Sequence, residues 1–308
     1  PGTSAFTDGA ATWGLQATKV VGNRYSGAGI KVAVLDTGLD LTHPDFAGRS
    51  ITPKSFITGE DVQDLQGHGT HCIGTACGAL NPPDPSSPMH YGIAHKAEIF
   101  AGKVLSNQGS GADGGILAGI DWAIANGCQI ISMSLGAGTR PGTSFSPIYE
   151  EVAKRALSRG TLIIAAAGNE SNRPSFVNPV GRPANCPSIM AVAALTSELG
   201  VAFYSCGSIN PDGGGIDIAA PGGNAGRVPV PQVYSTWTTD FRAVGGSSRY
   251  KAISGTSMAT PHVAGIAALY AEATGKRGYE LWALLMQNAQ RLPLPSVDVG
   301  IGLAQAPI

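Results

Sequence analysis

The stretch Lys31-Val-Ala-Val-Leu-Asp-Thr-Gly38, KVAVLDTG, decides the fold class. Its apolar residues run on without alternation into an aspartate and a turn-forming glycine. A strand with one wet face alternates apolar and polar residues, whereas an unbroken run suits a strand covered on both faces, as in a parallel sheet. The pattern recurs in EIFAGKVL (98–105), QIISMSLG (129–136), TLIIAAAG (161–168), SIMAVAAL (188–195) and IDIAAPG (216–222). Helical patterns lie between these runs. Asp113 is read as the cap of GGILAGIDWAIANG, which ends at Gly127. Ser146-Pro147, a cap followed by a first-turn proline, opens IYEEVAKRALSRG, with Glu150 and Glu151 early, basic residues late and Gly160 as its stop, the order the helix dipole favours. The alternation predicts an α/β three-layer α/β/α sandwich with a mostly parallel central sheet. No repeat or linker interrupts it, which predicts one domain over residues 1–308.

Composition narrows the function classes. Only 13% of the 308 residues are charged and the net charge is −1, with no basic or acidic block, so neither nucleic acid nor an anionic membrane is an expected partner. Apolar runs are broken well short of the ~18 residues a membrane span needs. The chain opens at Pro1 without an initiator Met or signal-type stretch, which reads as a mature species or a cloning choice. Five cysteines leave at least one without an intrachain partner. Cys72 and Cys128 sit among apolar residues and read as buried thiols, while Cys186 and Cys206, in loop-like sequence, are the pair open to a disulfide.

Ligands of open α/β sheets bind at the carboxyl ends of the strands. Asp36 ends the first run, where it could equally cap the next turn, and Asn169 follows the fourth run in AAAGNES. GHGTHCIGTACG (67–78) places His68 and His71 near one helical face with Cys72 beside them. Without HExxH or a remote ligand that is poor zinc geometry, and the glycines around His68 favour close approach by substrate. SGTSMATPHVAG (254–265) opens an apolar helix with Ser257 at its mouth, where unpaired N–H groups and the dipole favour negative charge. A serine needs a base: His68 could accept its proton, with Asp36 holding the other ring nitrogen and Asn169 donating to an oxyanion. Pro261 is read as freeing a carbonyl near Ser257 from the helix ladder. The order Asp, His, Ser is the subtilisin order.

VAVLDTGLDLTHPDF, GHGTHCIGTACG, ISMSLG, AAAGNES and SGTSMATPHVAG resemble, in order, the motifs of the subtilisin-like (subtilase) serine peptidases, over about Val20 to Ala289. The resemblance implies Asp36, His68 and Ser257 as a catalytic triad and Asn169 as oxyanion donor, with no cofactor for catalysis. It implies a secreted endopeptidase acting on polypeptides, made with an N-terminal propeptide, and a monomer is expected. Substrate would lie between Ser134, Leu135 and Gly136 on one edge and Gly109, Ser110 and Gly111 on the other, paired as an added strand. The S1 wall, read as Ala165 to Gly168 and Asn169 against Ser134–Gly136, is small and uncharged, which points to large apolar or aromatic P1 residues. The pH profile is expected to rise through the His68 pKa near neutrality.

The resemblance also implies structural calcium. Asp45 in THPDF matches a ligand, although the partner loop ALNPPDPSSPMHYG (79–92) departs from the family pattern; Asp217, with carbonyls near Ala184–Ile189, would make a weaker site. The segment 221–250, with Tyr234, Trp237 and Phe241, looks expanded and is expected to shape the cleft rim. The sequon Asn169-Glu-Ser171 is incidental if Asn169 is in the site. Two rivals stand against the peptidase: a silent subtilase-like binding module, which the intact set of groups disfavours, and a dinucleotide-binding oxidoreductase, for which GxGxxG after a strand is lacking.

Overall fold

The computed structural model of the chain describes residues 6–83, 89–224, 233–237 and 249–308. Among them the strands are β1 (Lys31–Asp36), β2 (Ile51–Ser55), β3 (Glu98–Lys103), β4 (Ile130–Met133), β5 (Leu162–Ala166), β6 (Met190–Leu195), β7 (Ile218–Pro221), β8 (Val233–Thr236) and β9 (Tyr250–Ile253). The α-helices are α1 (Trp13–Ala17), α2 (His68–Cys77), α3 (Asp113–Ala125), α4 (Pro147–Ser158), α5 (Thr256–Thr274), α6 (Gly278–Asn288) and α7 (Ser296–Val299). Strands β1 to β7 form a parallel sheet in the order β2-β3-β1-β4-β5-β6-β7, and β8 and β9 form a separate antiparallel hairpin.

The apolar runs are strands for the reason their composition suggested. Every residue of β4 to β7 is buried, as is all of β1 after Lys31, because helices cover both faces. On one side α2 and α5 pack against each other and the sheet; α3 packs on α4 and α4 on α6. The architecture is the three-layer α/β/α sandwich. The α2–α5 contact is close because Gly265 has no side chain: a Cβ there would stand 2.7 Å from the Ile93 Cβ and 2.9 Å from the Ala76 carbonyl oxygen.

Several local readings change. Strand β2, ITPKS, has an exposed centre and a proline, and neither marks a strand; it forms because it lies on the sheet edge, bonding β3 alone, where a missing N–H is tolerated. Asp113 is the first residue of α3 rather than its cap, and its carboxylate accepts the Tyr149 hydroxyl of α4 at 3.0 Å. Ser146 and Pro147 do begin α4, and Gly160, at φ +82°, ends it. All five cysteines are free and buried, so Cys186 and Cys206 are not joined: their thiols face the Ser146 carbonyl and the Glu170 carboxylate respectively. No described helix is long and apolar enough to cross a membrane.

Candidate active site

Parallel strands deliver their carboxyl ends to one edge of the sheet. Asp36 is the last residue of β1, Ser134 follows β4, and Gly168 and Asn169 follow β5. Helix α2 starts at His68 and α5 places Ser257 in its first turn, both at that edge. The result is a cleft of about 500 Å³ whose lining includes His68, Ser134, Gly168, Asn169 and Ser257.

Asp36 is fully buried, and its Oδ1 lies 2.7 Å from His68 Nδ1 and accepts the Thr37 N–H at 2.7 Å. That contact assigns the ring proton to Nδ1 and leaves Nε2 as the basic nitrogen. Burial is the largest single influence on His68 and lowers its pKa, but the charge and hydrogen bond of Asp36, together with the contact to Cys72, outweigh it, and the imidazole stands well above the ordinary 6.5. The Ser257 hydroxyl is turned to the Ser134 carbonyl, at 3.4 Å, rather than to His68. Such contacts are often loose before substrate binds.

Two neighbours hold the Ser257 backbone. Pro261 lies in the second turn of α5 and lacks the N–H that a regular helix would send to the Ser257 carbonyl. That carbonyl instead accepts Ser134 Oγ at 2.7 Å and the Cys72 thiol at 3.5 Å. His262, next to Pro261, donates from Nδ1 to the Met258 carbonyl at 2.8 Å; burial pulls its pKa down to about 4, so it is a neutral packing residue.

Asn169 is oriented by Thr256, a residue the sequence reading passed over. Thr256 N–H and Oγ1 both donate to Asn169 Oδ1, at 2.8 and 2.9 Å. With the amide oxygen so engaged, the NH₂ is the end left to serve a ligand. Thr256 Oγ1 also accepts the Gly168 N–H at 3.2 Å.

Asp64 was missed as well. It is fully buried, and its carboxylate accepts from Thr37 Oγ1 at 2.9 Å, the N–H groups of Gln66 and Gly67 at 2.9 and 2.8 Å, and Thr70 N–H and Oγ1 at 2.9 and 2.7 Å. One anion thus ties the residue after Asp36 to the helix start that carries His68. An acid just ahead of a helix was the legible signal. Beneath it Lys103, fully buried, donates to the Thr37 carbonyl at 2.6 Å and Asn107 Oδ1 at 2.9 Å, and pairs with Glu60 at 3.3 Å.

Of the expected substrate residues, Gly109, Ser110, Gly111, Ser134, Leu135, Gly136 and Gly168 all line the cleft. Ala165 does not: it is wholly buried, and Ala166, pointing the other way along the strand, takes its place. The residues expected to form the S1 wall carry no charge, while the wider lining of the cleft includes Glu170, Asp113 and Arg182.

His68 and His71 do not converge: His71 Nε2 lies 3.1 Å from the carbonyls of Val233 and Lys251, and burial lowers its pKa to about 3. Asp36, His68 and Cys72 do cluster, but His68 Nδ1 is engaged by Asp36, and burial raises the Cys72 pKa so that it remains a thiol. Asp45 is buried with its carboxylate accepting the hydroxyls of Tyr91 and Tyr250. Burial and the Asp45 charge push the Tyr91 phenol far up, so it stays a donor to this carboxylate; residues 84–88 of the expected partner loop lie outside the described residues. Asp217 accepts the Ala191 N–H at 2.8 Å, and burial pushes its pKa up to about 7. Among the described residues no group of three or more His, Cys, Asp or Glu side chains gathers around it. Tyr234 and Trp237 face Tyr91 and α2 rather than the cleft, and Phe241 lies outside the described residues.

Comparison with known proteins agrees with this geometry. The family described as Peptidase_S8, Subtilase family, matches residues 27–303. Subtilisin DY of Bacillus licheniformis is 36% identical over 256 residues, 83% of this chain and 81% of its own length. M-protease of Shouchella clausii (strain KSM-K16) is 40% identical over 261 residues, 83% of this chain but 58% of its own length. Among solved structures, Sphericase superposes with a TM-score of 0.76 at 32% identity, covering 97% of this chain and 99% of its own. The chain therefore belongs to the subtilase family and is a serine endopeptidase.

Proposed function

We propose that the chain cleaves internal peptide bonds by acyl transfer, with Ser257 as nucleophile, His68 as general base and acid, Asp36 as its orienting partner and Asn169 as oxyanion donor. The observation that carries this is the 2.7 Å Asp36–His68 contact facing a cleft that also holds Ser257 at a helix start. Neutral His68 takes the hydroxyl proton at Nε2 as Ser257 Oγ bonds to the substrate carbonyl carbon. The imidazolium so formed is stabilised by Asp36. The carbonyl oxygen, now anionic, accepts from the Asn169 NH₂ and from the Ser257 N–H, one of the helix donors without a partner inside the helix. His68 returns the proton to the leaving amine as the C–N bond breaks, and water repeats the sequence to release the acid.

The backbone of Ser134–Gly136 and of 109–111 offers edges for an extended peptide. Large apolar or aromatic P1 residues suit the Gly and Ala wall, and Glu170 adds a partner for a basic one. Secretion, an N-terminal propeptide, a monomeric state and a single catalytic domain are proposed from the kinship with subtilisins. Incubation with a sulfonyl fluoride should label Ser257 stoichiometrically. Ser257→Ala should lower kcat by about 10⁶. Folded protein that neither labels nor hydrolyses peptides would defeat the proposal.

A further inference from the structure

The hairpin β8–β9 plays no part in the reaction above, yet it is seated on the helix that carries His68. Helix α2, HGTHCIGTAC, is rich in Gly, Thr and Cys, which are weak helix formers, and it begins after Gly67 at φ +100°. The hairpin grips its first turns. Thr236 Oγ1 donates to the Thr70 carbonyl and Ser235 Oγ to the His71 carbonyl, each at 2.9 Å. His71 Nε2 reaches back 3.1 Å to one carbonyl on each strand, those of Val233 and Lys251. The Trp237 ring lies over Gly67 so closely that a Cβ there would be 2.5 Å from it, and a Cβ on Gly74 would be 2.0 Å from Thr236 Oγ1.

The second strand of the hairpin, where Tyr250 pairs with Thr236, is fastened to the segment that follows Asp36. Asp45, in the turn Pro44–Phe46, holds the Tyr250 hydroxyl at 2.9 and 3.0 Å together with that of Tyr91, and His43 Nε2 lies 2.8 Å from the Arg249 carbonyl. Tyr234 stacks on Tyr250 at 5.4 Å and 14°. A brace therefore runs from the segment after Asp36, through the hairpin, to the helix after His68, and the carboxylate that the family resemblance assigns to calcium is its fastening point.

We propose that the hairpin is a positioning device for His68, acting through Ser235, Thr236 and His71 on α2, and that the Asp45–Tyr91–Tyr250 cluster seats it without a cation. The proposal rests on His68 being the base. The test uses the full chain with Thr236→Val, Thr236→Ser and Ser235→Ala, assayed on a peptide substrate well below the melting temperature. Thr236→Val is expected to lower kcat about tenfold with KM within about twofold, since a 1 Å displacement can cost ~10². Thr236→Ser should recover most of the loss. A folded Thr236→Val with unchanged kcat and only a lower melting temperature overturns the positioning role; if that variant does not fold, Ser235→Ala decides by the same split. For the seat, wild type and Asp45→Asn are melted in EDTA and in millimolar calcium. No calcium-dependent rise that Asp45→Asn abolishes is expected, and finding one overturns the cation-free seat. An inactive wild type would instead defeat the catalytic reading.

Discussion

Replacing Asp64 by Asn tests whether one buried anion sets the geometry of the two segments that carry Asp36 and His68. In the native arrangement Oδ2 accepts both the N–H and the hydroxyl of Thr70, while Oδ1 faces Thr37, Gln66 and Gly67. An asparagine must turn an NH₂ towards one set of donors. With the NH₂ in the Oδ2 position, two charge-assisted bonds are lost, each worth about 1.5 kcal/mol at the low end of the range, so the loss is about 3 kcal/mol. Removal of the negative charge ahead of α2 adds at most ~1 kcal/mol. At ~2 °C per kcal/mol, suited to a chain this long, the melting temperature should fall by about 6 °C. Because Thr37 adjoins Asp36 and the Gly69 N–H is held by Thr37 Oγ1 at 2.8 Å, the Asp36–His68 contact should loosen as well. The assays are calorimetry at a fixed scan rate and steady-state hydrolysis at a temperature where both proteins are folded. Expected are the drop in melting temperature and a kcat reduced by about tenfold or more, with KM little changed. Asp64→Asn with native stability and native kcat would refute the idea that this carboxylate joins the two segments.

Four further outcomes follow from the same geometry. Asn169→Leu should cost ~10²–10³, chiefly in kcat, and an effect confined to KM would contradict the oxyanion role. With His68 as the proposed base, the acid limb of kcat/KM should lie above 6.5, since Asp36 helps hold its pKa up; Asp36→Asn should move any residual limb downward, because burial then meets less opposition. The same raised pKa stabilises the fold fully below the unfolded value near 6.5 and the contribution disappears as pH rises through the folded pKa, which pH-dependent melting of wild type against His68→Ala can read. Pro261→Ala should restore a helical N–H towards the Ser257 carbonyl and compete with Ser134 and Cys72; the melting temperature should hold or rise while kcat falls several-fold, and an unchanged kcat would show that the proline is neutral to catalysis.

The fold class was legible because burial on both faces leaves a local mark: KVAVLD and its counterparts have no wet face, and each became a strand buried on both faces. Strand β2 was not legible, since ITPKS is a strand only by virtue of the edge it joins. The candidate catalytic residues could be named because strand ends and helix starts are visible in sequence, and the motifs around them are specific. Their helpers could not: Thr256 matters through Asn169, 87 positions away, and Asp64 through Thr37, 27 positions away. The hairpin shows the same limit. Its aromatic residues were legible as unusual, but their direction, onto α2 and Asp45 instead of the cleft, depends on the packing of four separated segments.

By itself the sequence determined the layer architecture, the edge of the sheet where chemistry would lie and the identity of the groups that meet there, because periodicity, capping and motif spacing are local properties. Only the tertiary structure decided which carboxylates face the cleft, which histidine meets a carboxylate there and which are packing, and that Asp45 is held by tyrosines. Those outcomes depend on which distant side chain reaches each polar atom first, and on whether burial or a neighbouring charge wins at that point.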